Sequence, residues 1–71
     1  MIAPTPTQNV VTITFEVPSA QLAIMDMNGK MLMSKGIVSG DQIDLSNFDY
    51  GVYFFTLQTG ELTTVKRVVK Q

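Results

Sequence analysis

Three aspartates, Asp41, Asp44 and Asp49, lie within nine positions and come closest to a catalytic set. Two carboxylates can hydrolyse a glycosidic bond, one as the acid and the other as the nucleophile or base. That reaction needs a cleft for the sugar, and a domain of 71 residues has little room for one. The chain also contains no histidine and no cysteine, which removes the commonest general base and the commonest soft nucleophile. We therefore interpret the three aspartates as solvated loop charges and expect no enzymatic activity.

Asp26 and Asn28 have the spacing of the first two ligands of a calcium-binding loop. The later ligands and the closing glutamate of such a loop are absent. Asp, Asn and Gly are also the residues of tight turns, because Asp and Asn bond to nearby backbone groups and Gly29 tolerates a positive φ. We favour a turn at 26–29 and expect neither a metal ion nor another cofactor.

Four of the five methionines lie between positions 25 and 33. The thioethers of Met25, Met31 and Met33 could bind Cu(I) from alternating strand positions, but we favour a role in filling the core or covering a sheet. A third interpretation combines them with Phe54 as an apolar surface for a partner, because adaptable Met-rich faces often bind proteins. The apolar residues on both faces of two strands leave some of this surface exposed, so the domain either dimerises or docks.

The consecutive aromatic residues Tyr53, Phe54 and Phe55 could form a platform on which a sugar stacks. We favour core packing for Tyr53 and Phe55, because both share a strand face with Leu57. A carbohydrate-binding or adhesive module is therefore an alternative that rests on Phe54. A structural module that only dimerises is a further alternative.

The positive charge is concentrated at the end of the chain, where three of the five cations lie in the last six residues. Three cations on a short tail are too few for a nucleic-acid footprint, and the net charge is −1. No window approaches the ~20 apolar residues of a membrane span. The terminal run is either a solvated strand end or an element that another protein adds to a sheet edge. Its residues are Lys66, Arg67, Val68, Val69, Lys70 and Gln71.

The hydrophobic pattern alternates with period two along most of the chain, which is typical of strands. Residues 1–9 contain Pro4 and Pro6 and are expected to form an extended lead-in, so the folded domain comprises residues 10–71. No helix of ordinary length fits. Six or seven short strands with frequent turns predict a small antiparallel sandwich or barrel. The predicted strands are 11–17, 20–27, a brief edge strand at 37–38, 42–45, a central strand at 52–58, and 62–70.

The hairpin around residues 26–30 has two plausible registers. A two-residue turn at Asn28 and Gly29 would place Met25 opposite Leu32. A type I turn followed by a left-handed Gly29 would instead pair Ile24 with Leu32 and Met25 with Met31. We favour the second register, because it places the aliphatic pair on one face and gathers Met25, Met31 and Met33 on the other.

In their order and spacing, several short motifs together are more specific than any one of them. They are Pro4-x-Pro6, an alternating strand, Asp26-x-x-Gly29-Lys30, Ile43-Asp44-Leu45-Ser46, Gly51-x-Tyr53, and a closing strand with Lys66 and Val68-Val69-Lys70. This arrangement resembles the C-terminal sorting domain of type IX secretion cargo proteins, and the resemblance extends from Ala3 to Gln71. It implies an Ig-like β-sandwich in which Pro4, Pro6, Asp26, Gly29, Gly51 and Tyr53 have structural roles.

The resemblance also implies a function that composition and periodicity do not. The domain would end a larger exported protein, which enters the periplasm by an N-terminal signal outside these residues. An outer-membrane translocon would recognise the domain, with residues 66–71 as the expected contact. A surface sortase would then remove it and link the cargo to lipopolysaccharide at the cell surface, so the domain would be a substrate of the sortase and no catalyst. No nucleic acid or small-molecule substrate is expected.

Overall fold

The computed structural model describes residues 1–4 and 6–71, and these residues form strands and turns with no helix. No helix in this part of the chain could therefore cross a membrane. The seven strands are β1 (Ile2–Ala3), β2 (Val10–Ile13), β3 (Ser19–Met25), β4 (Met31–Val38), β5 (Asp41–Asp44), β6 (Gly51–Thr59) and β7 (Leu62–Lys70).

The strands form two antiparallel sheets with the orders β1-β2-β5 and β4-β3-β6-β7. The chain changes sheet after β2, β4 and β5, whereas β3-β4 and β6-β7 are hairpins within one sheet. This arrangement confirms the predicted small all-β sandwich and not the barrel alternative. The predicted central strand at 52–58 is confirmed as β6, which pairs with β3 on one side and β7 on the other.

The core lies between the two sheets and is built from alternate residues of each strand. From β6 it takes Tyr53, Phe55 and Leu57, which confirms that Tyr53 and Phe55 pack inward rather than form a sugar platform. Ile43 and Leu45, two positions apart at the end of β5, are also buried in the core. The side chains that are least accessible belong to Phe55, Ile13, Leu22, Ile24, Leu45, Val11 and Val68.

The first predicted strand was expected to reach Val17, and this boundary is wrong. β2 ends at Ile13, and Val17 is 41% exposed. Thr14 still exchanges main-chain hydrogen bonds with Met1, and the chain then leaves the three-stranded sheet for the other. Phe15 still packs against the core, and its N–H donates to the hydroxyl of Ser39 at 2.9 Å. The alternating pattern therefore extends beyond the strand, and of its last two apolar residues only Phe15 packs against the core.

The turn between β3 and β4 has the favoured geometry. The N–H of Asp26 donates to the carbonyl of Lys30 at 3.0 Å, and the N–H of Gly29 donates to the carbonyl of Asp26 at 3.1 Å. Gly29 has a φ of 82°, a conformation that residues with a Cβ rarely adopt. Met25 lies opposite Met31, as predicted.

The next predicted pair of this hairpin, Ile24 with Leu32, is wrong. Ile24 lies opposite Met33, and the register shifts between Ile24 and Met25, so Leu32 is an extra residue. Such bulges are common on edge strands, and β4 is the edge of its sheet. The shift turns Met33 toward the core, where it packs against buried residues, while Met31 remains 58% exposed. The three methionines therefore do not share one face. β4 continues to Val38, so the predicted brief strand at 37–38 is the end of this longer one.

The N-terminal segment lies against the sandwich. Ile2 is buried in the core, and β1 pairs with the end of β2. Pro4 and Pro6 are exposed, and Thr5 between them lies outside the described residues. Thr7 is only 3% exposed and forms a parallel bridge with Lys70 of β7. This segment therefore reaches the last strand of the chain.

Candidate functional site

The candidate site is β7, because the sequence predicts recognition by residues 66–71. β7 forms nine consecutive pairs with β6, from Thr59 opposite Leu62 to Gly51 opposite Lys70, with no shift of register. β7 is an edge strand of the four-stranded sheet, so its other edge has no neighbouring strand of that sheet. The surroundings change along this strand between Arg67 and Val68. We therefore describe residues 62–67 as the open half of β7, and residues 68–70, with Gln71 directly after the strand, as the anchored half.

The anchored half is fixed on its outer edge by Thr7. The N–H of Thr7 donates to the carbonyl of Val69, and the N–H of Gln71 donates to the carbonyl of Thr7, both at 2.8 Å. Val68 is fully buried in the core opposite Tyr53. Buried main-chain groups need such partners, so Thr7 completes the hydrogen bonding of this part of β7.

Lys70 also belongs to the anchored half, although a lysine near a chain end is ordinarily solvated. It is only 6% exposed, and its Nζ donates to the carbonyl of Phe48 at 3.2 Å. The same Nζ lies 5.3 Å from the ring centre of Tyr50, within range of a cation–π interaction. Lys70 therefore ties β7 to the loop before β6, and its charge is not freely available to a partner.

The open half differs from the anchored half in the exposure of its side chains. All six of its residues are exposed, including Leu62 at 72% and Val65 at 61%. Lys66 lies opposite Phe55 on the core side of the sheet, and Arg67 lies opposite Phe54 on the outer side. Two adjacent cations thus point to opposite faces of one accessible strand.

The contacts of Tyr53 explain the Gly51-x-Tyr53 motif. Tyr53 lies on β6 opposite Val68 of the anchored half. Its hydroxyl donates to the carbonyl of Asp49 at 2.7 Å, and its ring centre lies 5.1 Å from that of Phe48. A tyrosine bonded to the backbone a few residues upstream is a recurrent corner of β-sandwiches. Gly51 has a φ of 148°, which favours glycine at the start of the strand. Burial raises the pKa of Tyr53, with smaller contributions from the charges of Asp49 and Asp26.

The predicted apolar surface is only partly assembled on the outer face of the four-stranded sheet. Met25 lies opposite Phe54 there, both are half-buried, and Met31 lies next to Met25 on β4. Met33 is turned to the core side. The use of Met25, Met31 and Phe54 for dimerisation or docking stays a prediction.

Three of the acids that suggested chemistry, Asp26, Asp41 and Asp44, are engaged in turns, whereas Asp49 is exposed and accepts the Tyr53 hydroxyl through its main-chain carbonyl. Asp26 Oδ1 accepts hydrogen bonds from the N–H groups of Asn28 at 2.8 Å and Lys30 at 3.0 Å. Asp41 Oδ2 accepts one from Val38 at 2.9 Å. Among residues 1–4 and 6–71, no three metal-ligating side chains come together. These carboxylates therefore shape loops.

Asp44 has the same role at the end of β5. Its Oδ1 accepts a hydrogen bond from the N–H of Ser46 at 2.8 Å. The backbone and side-chain hydrogen bonds from Ser46 lower the pKa of Asp44, burial opposes this shift, and the positive charge of Lys70 makes the smallest contribution, a lowering one. Asp44 therefore supports the turn at 44–46 mainly through Ser46.

Sequence reasoning missed two residues of this site, Thr7 and the buried role of Lys70. Thr7 follows a proline-containing segment with no strand pattern, and a parallel bridge to the last strand has no local signature. Lys70 has a weak signal, because it lies at an inward-facing position two residues after Val68.

Residues 1–71 were compared with known protein families and with curated proteins. The family model of the secretion system C-terminal sorting domain matches residues 1–71. A search of the curated proteins finds no match. The resemblance to the sorting domains of type IX secretion is thereby confirmed, and this family has a C-terminal sorting role for secreted cargo that reaches the cell surface or the extracellular space. The chain belongs to the family of secretion system C-terminal sorting domains.

Proposed function

We propose that this domain is a non-catalytic address signal that an outer-membrane translocon of the type IX system recognises in the periplasm, and that a surface sortase later removes. The observation that carries the proposal is the match of the sorting-domain family to residues 1–71. The cargo would then be released from the signal and joined to lipopolysaccharide at the cell surface.

The arrangement of the charged residues agrees with this role. The carboxylates of Asp26, Asp41 and Asp44 are bonded to backbone N–H groups of their own loops. A site that binds and converts a substrate needs a concave pocket with convergent polar groups. Accessible strands such as the open half of β7 suit recognition by another protein.

The experiment is an export assay with a reporter protein. The reporter carries a signal peptide at its N-terminus and the 71-residue chain at its C-terminus, and it is expressed in a bacterium with a type IX system. We expect the reporter on the cell surface, without the domain attached. Reporter lacking the domain should remain in the periplasm, as should the full fusion in a strain without the translocon.

A matched control separates export from folding. The Phe55→Asp variant places a charge in the fully buried position of β6 and should unfold the domain. We expect this fusion to remain in the periplasm. Surface display of the wild-type fusion in the strain that lacks the translocon, or its retention in the strain that has one, would contradict the proposed function.

A further inference from the structure

The outer edge of the open half presents main-chain groups without a partner among the described residues. Val69 and Gln71 direct main-chain groups to this edge, because they bond to Thr7. Alternate residues of an unbroken antiparallel strand direct their N–H and C=O groups to the same side. Beyond the Thr7 bridge, the described part of the chain pairs β7 only with β6. The residues whose groups therefore face outward are Thr63, Val65 and Arg67.

The opposite edge of the same sheet is less suited to accept another strand. β4 is interrupted by the extra residue Leu32. Bulges are a device by which edge strands avoid pairing with other chains. β7 has no bulge over its nine pairs with β6. Of the two edges of this sheet, β7 is the regular one.

An apolar cleft of about 220 Å³ adjoins the open half on the core side. Ile2 and Phe15 line it from the side of β1 and β2, and Leu57, Thr64 and Lys66 line it from β6 and β7. The cleft lies between β1, which has only two residues, and the paired strands β6 and β7. A strand added to β7 would direct every second side chain to the core side of the sheet, where this cleft lies.

The positive charges of the open half determine which kind of strand could pair with it. Lys66 lies at the cleft and Arg67 on the outer face, and both are exposed. Two copies of this chain joined through the edge would bring four cations into one short interface, which is unfavourable. An acidic segment would instead be complementary on both faces.

We infer that the open half binds an extended segment of the translocon by strand addition. Main-chain hydrogen bonds to Thr63 and Val65 hold that segment, an apolar side chain near its middle enters the cleft, and acidic residues pair with the side chains of Lys66 and Arg67. The inference rests on the proposed function, and it names the chemistry of the partner and the place where it binds.

The first test changes one outward N–H group without changing the sheet. Proline is tolerated on an edge strand where its nitrogen faces outward, so Val65→Pro removes a donor to the partner and spares the ladder with β6. Val65→Thr is the matched control, since it keeps the N–H. In the reporter assay we expect export of the proline variant to fall roughly tenfold, as for one lost main-chain hydrogen bond, and export of the threonine variant to be unchanged.

The second test keeps the fold intact and uses photo-crosslinking amino acids in the exported fusion. They are placed at Thr63 or Val65 in the open half, and at Ser34 or Lys35 on β4 as controls. We expect crosslinks from β7 to an outer-membrane translocon protein, at an acidic segment, and at most weak crosslinks from β4.

The outcomes distinguish this inference from the proposed function. Normal export of Val65→Pro together with equal crosslinking from β4 and β7 would overturn strand addition and leave the sorting role in place. Crosslinks from β7 to a second copy of the chain would overturn it in favour of a dimer. Failure of the wild-type fusion to be exported would overturn the proposed function itself.

Discussion

The two halves of β7 belong to one strand and pair with the same neighbour, yet their surroundings are opposite. The anchored half is bonded to Thr7 on its outer edge, and its Val68 and Lys70 are buried. The open half is exposed throughout, and its outer edge faces solvent in the part of the chain that the structure describes. Residues that hold the fold and residues available for recognition are thus separated within nine positions of sequence.

This separation divides the predicted recognition residues into two groups. Lys66 and Arg67 are accessible, whereas Val68 and Lys70 contribute to the core and to its closure. Deletion of the last residues would therefore remove the Thr7 and Lys70 contacts, and a loss of export would then report on the fold rather than on recognition. Only substitutions that distinguish the halves can assign a loss of export to recognition.

The largest expected effect comes from the same charge reversal placed in each half. Lys70→Glu sets an unpaired carboxylate near the carbonyl of Phe48, and should destabilise the domain by about 3 kcal/mol. Lys66→Glu changes an exposed side chain and should change the stability by less than about 0.5 kcal/mol. Urea unfolding of the purified domain, followed by circular dichroism, measures both. Equal effects of the two variants would remove the distinction between the halves.

A smaller effect is expected for Tyr53→Phe, which removes the hydrogen bond to the carbonyl of Asp49 below the anchored half. The loss should be about 1 kcal/mol at neutral pH. Because the pKa of Tyr53 is raised by burial, the neutral form is favoured in the folded state. The stabilisation is therefore complete below the ordinary pKa of 10.0 and is lost as the pH rises through the higher folded pKa.

Melting temperatures from pH 7 to 11 measure this dependence. Wild type should lose stability above pH 10.0 more steeply than Tyr53→Phe, so that the two curves converge. Tyr50→Phe is the control, because Tyr50 is 81% exposed and lacks that hydrogen bond. Parallel curves for wild type and Tyr53→Phe would show that Tyr53 does not support the anchored half.

The smallest effect is expected at Asp44, whose carboxylate bonds to Ser46 and is influenced by Lys70. Its lowered pKa means that the stabilisation is complete above the ordinary pKa of 3.8 and is lost as the pH falls through the lower folded pKa. Asp44→Asn should therefore show a weaker decline in melting temperature below pH 3.8. If the melting temperatures of Asp44→Asn and wild type declined equally at acid pH, this carboxylate would not stabilise the turn.

Local patterns were sufficient to predict much of the fold. Alternation placed Tyr53, Phe55 and Leu57 in the core, and the residue types at 26–29 predicted the turn with Gly29 in a left-handed conformation. These features depend on residues that are close in sequence, so the hydrophobic period and the turn-forming residue types are enough to predict them.

The features that the sequence did not predict depend on contacts between distant segments. The bulge at Leu32 arises where Met33 packs against the core, and β2 ends at Ile13 because the chain changes sheet there. The burial of Lys70 needs the carbonyl of Phe48, which lies 22 positions earlier. The division of β7 into two halves follows from Thr7 and has no counterpart in the pattern of the strand itself.

Export of a fusion with both cations of the open half reversed tests the central claim most directly. Lys66→Glu with Arg67→Glu alters the accessible charges and leaves the contacts of Thr7, Val68 and Lys70 in place. With the melting temperature of the purified domain unchanged, we predict that the reporter accumulates in the periplasm. Normal surface display of this folded double variant would contradict the account.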